Sequence, residues 1–232
     1  MGNEGSRDIL VCGYTDFPEN SCPSKLKFVP VNMRLDPETG TITGTHTPIY
    51  NPLIDAELEQ IFIGNSIYVG MDFYVAQIED TMHFPLISLL IEALYDLYGN
   101  LMSLLSRYWP SIRIPAVEPE TVRRPAVHYD YFCGTTYLSQ RLDSAFSNQL
   151  SVFVKVNGTS KTIEDCWISR FSAFPSGRLY DLFCSYRLDE DPGRIIEQIN
   201  TYYRITASKA MINVFLDVVK NCRAYYADTN EF

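Results

Sequence analysis

Four side chains in this sequence have the chemistry to move a proton or attack an electrophile: Cys166, Lys209, His46 and His83. Cys166 follows Asp165 near the end of an alternating stretch, and Lys209 opens a long apolar helical stretch. A thiol at a strand end, close to an ammonium and a helix N-terminus, becomes a thiolate nucleophile. Asp165 opposes that ionisation, and a buried core cysteine is the competing reading. Lys209 could instead bind a carboxylate, act as a base once burial lowers its pKa, or sit solvated on its helix. His46 falls at a predicted hairpin end and His83 at the start of a predicted long helix. A fold that brings those ends into one cleft makes them an acid/base or substrate-orienting pair, with hydrogen-bonded structural histidines as the alternative. Tyr14 and Asp16, just past the first strand, together with Asp165 and Arg204, are the candidate substrate contacts.

The rest of the composition narrows the chemistry. Six cysteines (Cys12, Cys22, Cys133, Cys166, Cys184, Cys222) include no Cys-x-x-Cys pair, and His46, His83 and His128 stand far apart. That spacing predicts free thiols, no metal site and no cofactor. A formal charge of −9 from 19 basic and 28 acidic residues repels phosphate backbones and anionic bilayers, so neither nucleic acid nor membrane is an expected partner. No apolar run reaches the roughly 20 residues that span a bilayer, and the first residues lack a signal-peptide pattern. The expected setting is the cytoplasm.

The elements that must position these groups come in two passes. Ile9–Gly13 reads as a strand, and Lys27–Leu35 with Thr41–Thr45 as a hairpin around Asp36-Pro37-Glu38-Thr39-Gly40, with Pro30 marking an edge or a bulge. Leu53, Leu58, Ile61 and Phe62 recur at helical spacing, Val69–Asp80 forms a second helix, and Leu86 to Leu104 makes a wide apolar helical face. Prolines 110, 115, 119 and 125 predict a stiff linker over 109–126. The order then recurs. His128–Cys133 is a strand, and Leu150–Val156 and Thr162–Ile168 pair around an Asn157-Gly158 turn. Three helices follow, the last over Ala207–Tyr226.

Identities support a repeat. Cys12-Gly13 and Cys133-Gly134, Thr41-Ile42 and Thr162-Ile163, Phe62 and Phe183, and Asp96 and Asp217 are all 121 residues apart. Phe28-Val29-Pro30-Val31-Asn32 matches Phe153-Val154-Lys155-Val156-Asn157 at 125, which implies a shorter second hairpin. The expected fold class is α+β: two repeated units, 1–108 and 127–232, each a small antiparallel meander followed by about three helices, packed about a pseudo-two-fold axis. One chain would then mimic a homodimer, with a cleft at the seam.

Several motifs carry a resemblance. They are Ile9-Leu10-Val11-Cys12-Gly13-Tyr14 with Phe17-Pro18-Glu19-Asn20, Leu35-Asp36-Pro37-Glu38-Thr39-Gly40, Ile61-Phe62-Ile63-Gly64, Asp165-Cys166, and Ser208-Lys209-Ala210. Through them the chain resembles a bacterial family of one-repeat proteins, domain of unknown function number 3870, which implies a duplicated unit and no particular activity. It departs from that pattern at His46-Thr47, where Asp-Cys would fall, at Ile87-Ser88-Leu89, where the lysine step would fall, and at Tyr203-Arg204, where the family carries Tyr-His. Any site the family shares is therefore split or half lost here.

The function expected from these readings is a cofactor-independent small-molecule enzyme of specialised or catabolic metabolism, a cyclase, isomerase or hydrolase working by acid/base or nucleophilic chemistry. The alternative is a non-catalytic metabolite-binding or accessory protein, suited by 16 tyrosines and 13 phenylalanines. A sulfur-carrier role would require an exposed Cys166. The partner in each case is a small molecule, bound by a monomeric pseudo-dimer or a homodimer.

Overall fold

The computed structural model describes residues 8–16, 28–47, 51–110, 112, 128–137, 149–168, 176–202 and 207–229. Phe17–Asn20, Cys22 and Arg204, and nearly all of the proline-rich segment 109–126, lie outside them. The chain is a mixed α+β protein that divides into two compact units, 1–80 with 86–126, and 81–85 with 127–232. The second unit thus takes in Thr81–Pro85, a segment of the first half of the chain.

In the first unit, β1 (Ile9–Asp16), β2 (Phe28–Leu35) and β3 (Ile42–His46) form an antiparallel sheet in that order. Val29, Val31, Met33 and Leu35 alternate inward from β2, as a strand covered on one face requires. Pro30 sits in the central strand opposite Tyr14, and the bulge falls instead between Arg34 and Leu35. The described pairing with β3 begins at Asn32, so the missing N–H of Pro30 costs none of those ladder bonds. Asn51 caps α1 (Pro52–Phe62), its side-chain oxygen accepting from the backbone N–H of Leu53 and Ile54 at 3.0 and 3.2 Å. Next come α2 (Met71–Thr81) and α3 (Ile87–Tyr108), whose Leu90, Ala93, Leu94, Leu97 and Leu101 are fully buried.

The second unit holds a four-stranded sheet, β4 (Met82–His83), β5 (Tyr129–Tyr137), β6 (Gln149–Asn157) and β7 (Thr162–Ile168), in that order. The first pair is parallel and the others antiparallel. Then come α4 (Ser176–Phe183), α5 (Gly193–Tyr202) and α6 (Ala207–Asp228). Val152, Val154 and Val156 of β6 pack with Met211, Val214, Phe215, Val218 and Cys222 of α6 in one core.

Several internal features of the two units recur at a spacing of 121 residues. Ile9 opposes Leu35 as Asp130 opposes Val156, and Met33 opposes Thr45 as Val154 opposes Cys166. The bulges at Arg34/Leu35 and Lys155/Val156 fall in step. Asp96 accepts from the backbone N–H of Tyr14 at 3.0 Å, and Asp217 from that of Thr135 at 2.9 Å. A Cβ on Gly13 would meet the carbonyl of Ala93 at 2.3 Å, and one on Gly134 that of Val214 at 2.7 Å, so each helix is seated on a bare glycine. The offset of 125 for the central strands is therefore corrected to 121. A shift of four preserves inside–outside alternation, so the apolar pattern could not choose between the two registers.

Candidate functional site

One buried carboxylate gathers a polar cluster in the second unit. Asp130 lies near the start of β5, 1% exposed, on the same strand face as Phe132. Its Oδ1 faces His83 Nε2 at 3.2 Å and His128 Nε2 at 3.0 Å, and its Oδ2 accepts the hydroxyl of Tyr226, near the end of α6. Burial alone would raise the Asp130 pKa, but hydrogen bonds from His83 and Tyr226 and the charges of His128 and His83 outweigh it and hold the carboxyl below its ordinary range. Burial first, and then the bond to Asp130, push the Tyr226 phenol upward, so it stays a donor.

An ionised carboxylate only accepts, so both imidazoles present Nε2–H to it. For neutral His83 the lone pair then lies on Nδ1, the arrangement of a base oriented by a buried acid. Its ring stacks on Tyr225 with centroids 3.9 Å apart and lies 5.1 Å from Phe132, which fixes its plane. The ammonium of Lys161 sits 3.6 Å above the Tyr226 ring. The β6–β7 turn closes over this cluster at Gly158, where a Cβ would meet His128 Cδ2 at 2.7 Å. His83 is 15% exposed and His128 47%, so the buried anion supports imidazoles that reach toward solvent.

A second cluster lies around β7 and the end of α4. Cys166 and Tyr180 hydrogen-bond the sulfur of Cys184, and Cys184 lines a cavity of about 250 Å³ with Asp181, Ser185, Glu190, Asp191 and Arg194. The bond to Cys166 lowers the Cys184 pKa, burial opposes it, and the bond to Tyr180 lowers it again. The same contacts raise the Cys166 thiol and push the Tyr180 phenol up to about 12. Asp165 accepts from the Cys166 backbone N–H at 2.8 Å.

The residues singled out from sequence are dispersed. His46, at the end of β3, is 61% exposed, with Nδ1 3.4 Å from Asp55 Oδ2. Tyr14 and Asp16 are exposed near the end of β1, Tyr14 against the edge of Phe28. Lys209 is exposed on α6, and the groups acting on Cys166 are Cys184 and Asp165. His83 and Cys166 share one row of the second sheet, His83–Phe132–Val154–Cys166. Two strands separate them, which at ordinary strand spacing is about 14 Å. They belong to two centres. The counterpart of Asp165-Cys166 in the first unit is Gly44-Thr45, not His46-Thr47, and His46 corresponds to Trp167, on the opposite strand face from Cys166. Cys166 is 9% exposed, short of what a sulfur carrier requires.

Asp130, His128, Tyr226, Cys184 and Tyr180 are the members that sequence reasoning missed. One signal was present: His128, Asp130 and Phe132 share strand parity, so an acidic residue stood on an inward-facing position. No group of three or more His, Cys, Asp or Glu among the described residues is arranged to hold a metal ion, and no described helix is long and apolar enough to cross a membrane. Compared with protein-family models, curated proteins and solved structures, the chain matches none.

Proposed function

We propose that this chain is a cofactor-independent small-molecule enzyme, of cyclase, isomerase or hydrolase type, whose acid/base centre is the Asp130-anchored pair His83 and His128. One observation carries the reading. Where the second unit buries Asp130 and Tyr226, the corresponding positions of the first unit hold Ile9 and Leu105. Exchanging a buried ionic network for a well-packed apolar pair is often neutral or stabilising, so a network kept at this place supports a chemical role for it.

In the mechanism, Nδ1 of His83 takes a proton from the substrate, and the imidazolium is stabilised through Nε2–H by ionised Asp130. His128, on the same carboxylate oxygen and more exposed, returns a proton to the leaving or rearranged group. The two rings meet on one carboxylate oxygen, His83 placed as the base and His128 as the acid. Tyr226 holds the second carboxylate oxygen and prevents Asp130 from turning away.

The reading extends to origin. The shared registers, bulges and helix-seating glycines support a tandem duplication of one unit; the likeness to the family of unknown function number 3870 rests on the sequence motifs alone. The chemistry proposed here needs no seam cleft, since all its residues lie in the second unit.

The test is turnover of a panel of small esters, lactones and ketones, read by product formation and by deuterium incorporation from D2O. Wild type is expected to turn over at least one compound, and His83→Gln to lose about 10²–10³-fold with its circular dichroism unchanged. Absence of turnover across the panel, or full activity in His83→Gln, overturns the reading in favour of a non-catalytic binding protein.

A further inference from the structure

The thiol cluster beside the cavity is not used by the acid/base centre, and its geometry points to a separate activity. We propose that Cys184 and Cys166 form a dithiol that reduces small neutral hydroperoxides, Cys184 attacking and Cys166 resolving. Three observations converge on it. Cys184 lines a cavity of about 250 Å³ and is only partly buried, a space several times the roughly 30 Å³ a water molecule occupies. Two donors, the thiol of Cys166 and the hydroxyl of Tyr180, are placed on its sulfur. Backbone bonds pin the segment after α4 to β7, the strand that carries Cys166, Ser185 N–H to the Ile163 carbonyl at 2.7 Å and Ile163 N–H to the Tyr186 carbonyl at 2.9 Å.

The lining selects the reactant. Asp181, Glu190 and Asp191 outnumber Arg194, so the cavity repels anionic oxidants and anionic thiols and admits an uncharged peroxide. The depressed Cys184 pKa supplies thiolate for the attack. Burial pushes the competing thiols up, Cys133 to about 12 and Cys222 well above its ordinary value.

The steps balance. The Cys184 thiolate attacks one peroxide oxygen; the O–O bond breaks, two electrons pass from sulfur to oxygen, and the departing alkoxide takes a proton to become an alcohol. Cys184 is then a sulfenic acid. Cys166 attacks that sulfur, its own proton joins the departing hydroxide as water, and a Cys166–Cys184 disulfide remains. The net change is two thiols and one hydroperoxide to one disulfide, one alcohol and one water.

The full chain, fully reduced, is treated with one equivalent of hydrogen peroxide or of cumene hydroperoxide, then mapped by differential alkylation and mass spectrometry. The expected product is a peptide pair joined through Cys166 and Cys184, formed about tenfold faster than any oxidation of exposed Cys12. In Cys166→Ser the reaction stops at a sulfenic acid on Cys184 that dimedone traps; in Cys184→Ser, Cys166 stays reduced. Oxidation falling first on Cys12 or Cys22, or Cys166 oxidising as fast in Cys184→Ser as in wild type, overturns the proposal. His83→Gln leaves this oxidation unchanged, so the outcome is independent of the acid/base reading.

Discussion

The hydroxyl of Tyr226 donates to Oδ2 of Asp130 across 96 positions of sequence, tying the end of α6 to the start of β5. With His83 and His128 on the other oxygen, the carboxylate is held at both ends, and its direction is set before any substrate arrives. That is the preorganisation a general base needs.

Removing the phenol alone leaves one buried oxygen of Asp130 without its donor. Tyr226→Phe should lower the unfolding free energy by about 1–3 kcal/mol in urea titrations. The double variant Asp130→Ile/Tyr226→Leu, which copies Ile9 and Leu105 of the first unit, should stay within about 1 kcal/mol of wild type or exceed it while losing turnover. A double variant that falls by about 3–5 kcal/mol would mark the cluster as structural.

The depressed Asp130 pKa fixes the sign of one pH effect. A carboxyl whose folded pKa lies below its unfolded value, about 3.9, adds stability that is fully present above that value and drains away as pH falls through the folded pKa. Wild type should therefore lose stability below about pH 4, and Asp130→Asn should lose less over the same interval in matched thermal melts.

Alkylation reads the second centre. Cys184 should react with iodoacetamide along a pH curve whose midpoint lies below that of an ordinary thiol, and Tyr180→Phe or Cys166→Ala should move that midpoint upward, because each removes a donor to its sulfur. A midpoint unmoved by both variants contradicts the cluster geometry.

Backbone strain distinguishes the units at one matched position. Gly64 and Ser185 both follow the first helix of their unit, with φ of 81° and 74°. Serine there carries a Cβ that glycine lacks, so Ser185→Gly should raise stability by about 1 kcal/mol and Gly64→Ala should lower it by a similar amount. Gly13→Ala and Gly134→Ala should each cost about 1–3 kcal/mol, since a Cβ at either site strikes the seated helix.

The strands, hairpins and long helices were legible because each has its own period: β2 and β6 alternate valines, and α3 repeats leucine at helical spacing. The two-residue strand Met82–His83 was not, since it is too short to show a period and forms only because β5 offers an edge. The site was legible in part. His83 stood out by type, but its partners come from two distant segments, and only the register of β5 and the end of α6 bring Asp130, His128 and Tyr226 to it. The thiol pair was hidden for the same reason: Cys184 carries no local motif, and its neighbour lies across a helix–strand contact.

The measurement that bears most directly on the proposed base is the tautomer of His83, read from long-range proton–nitrogen NMR correlations on labelled protein at neutral pH. The account predicts neutral His83 with its proton on Nε2, facing an ionised Asp130, and loss of that preference in Asp130→Ala. A His83 protonated on Nδ1 with bare Nε2, accepting a proton from a neutral Asp130, would contradict it.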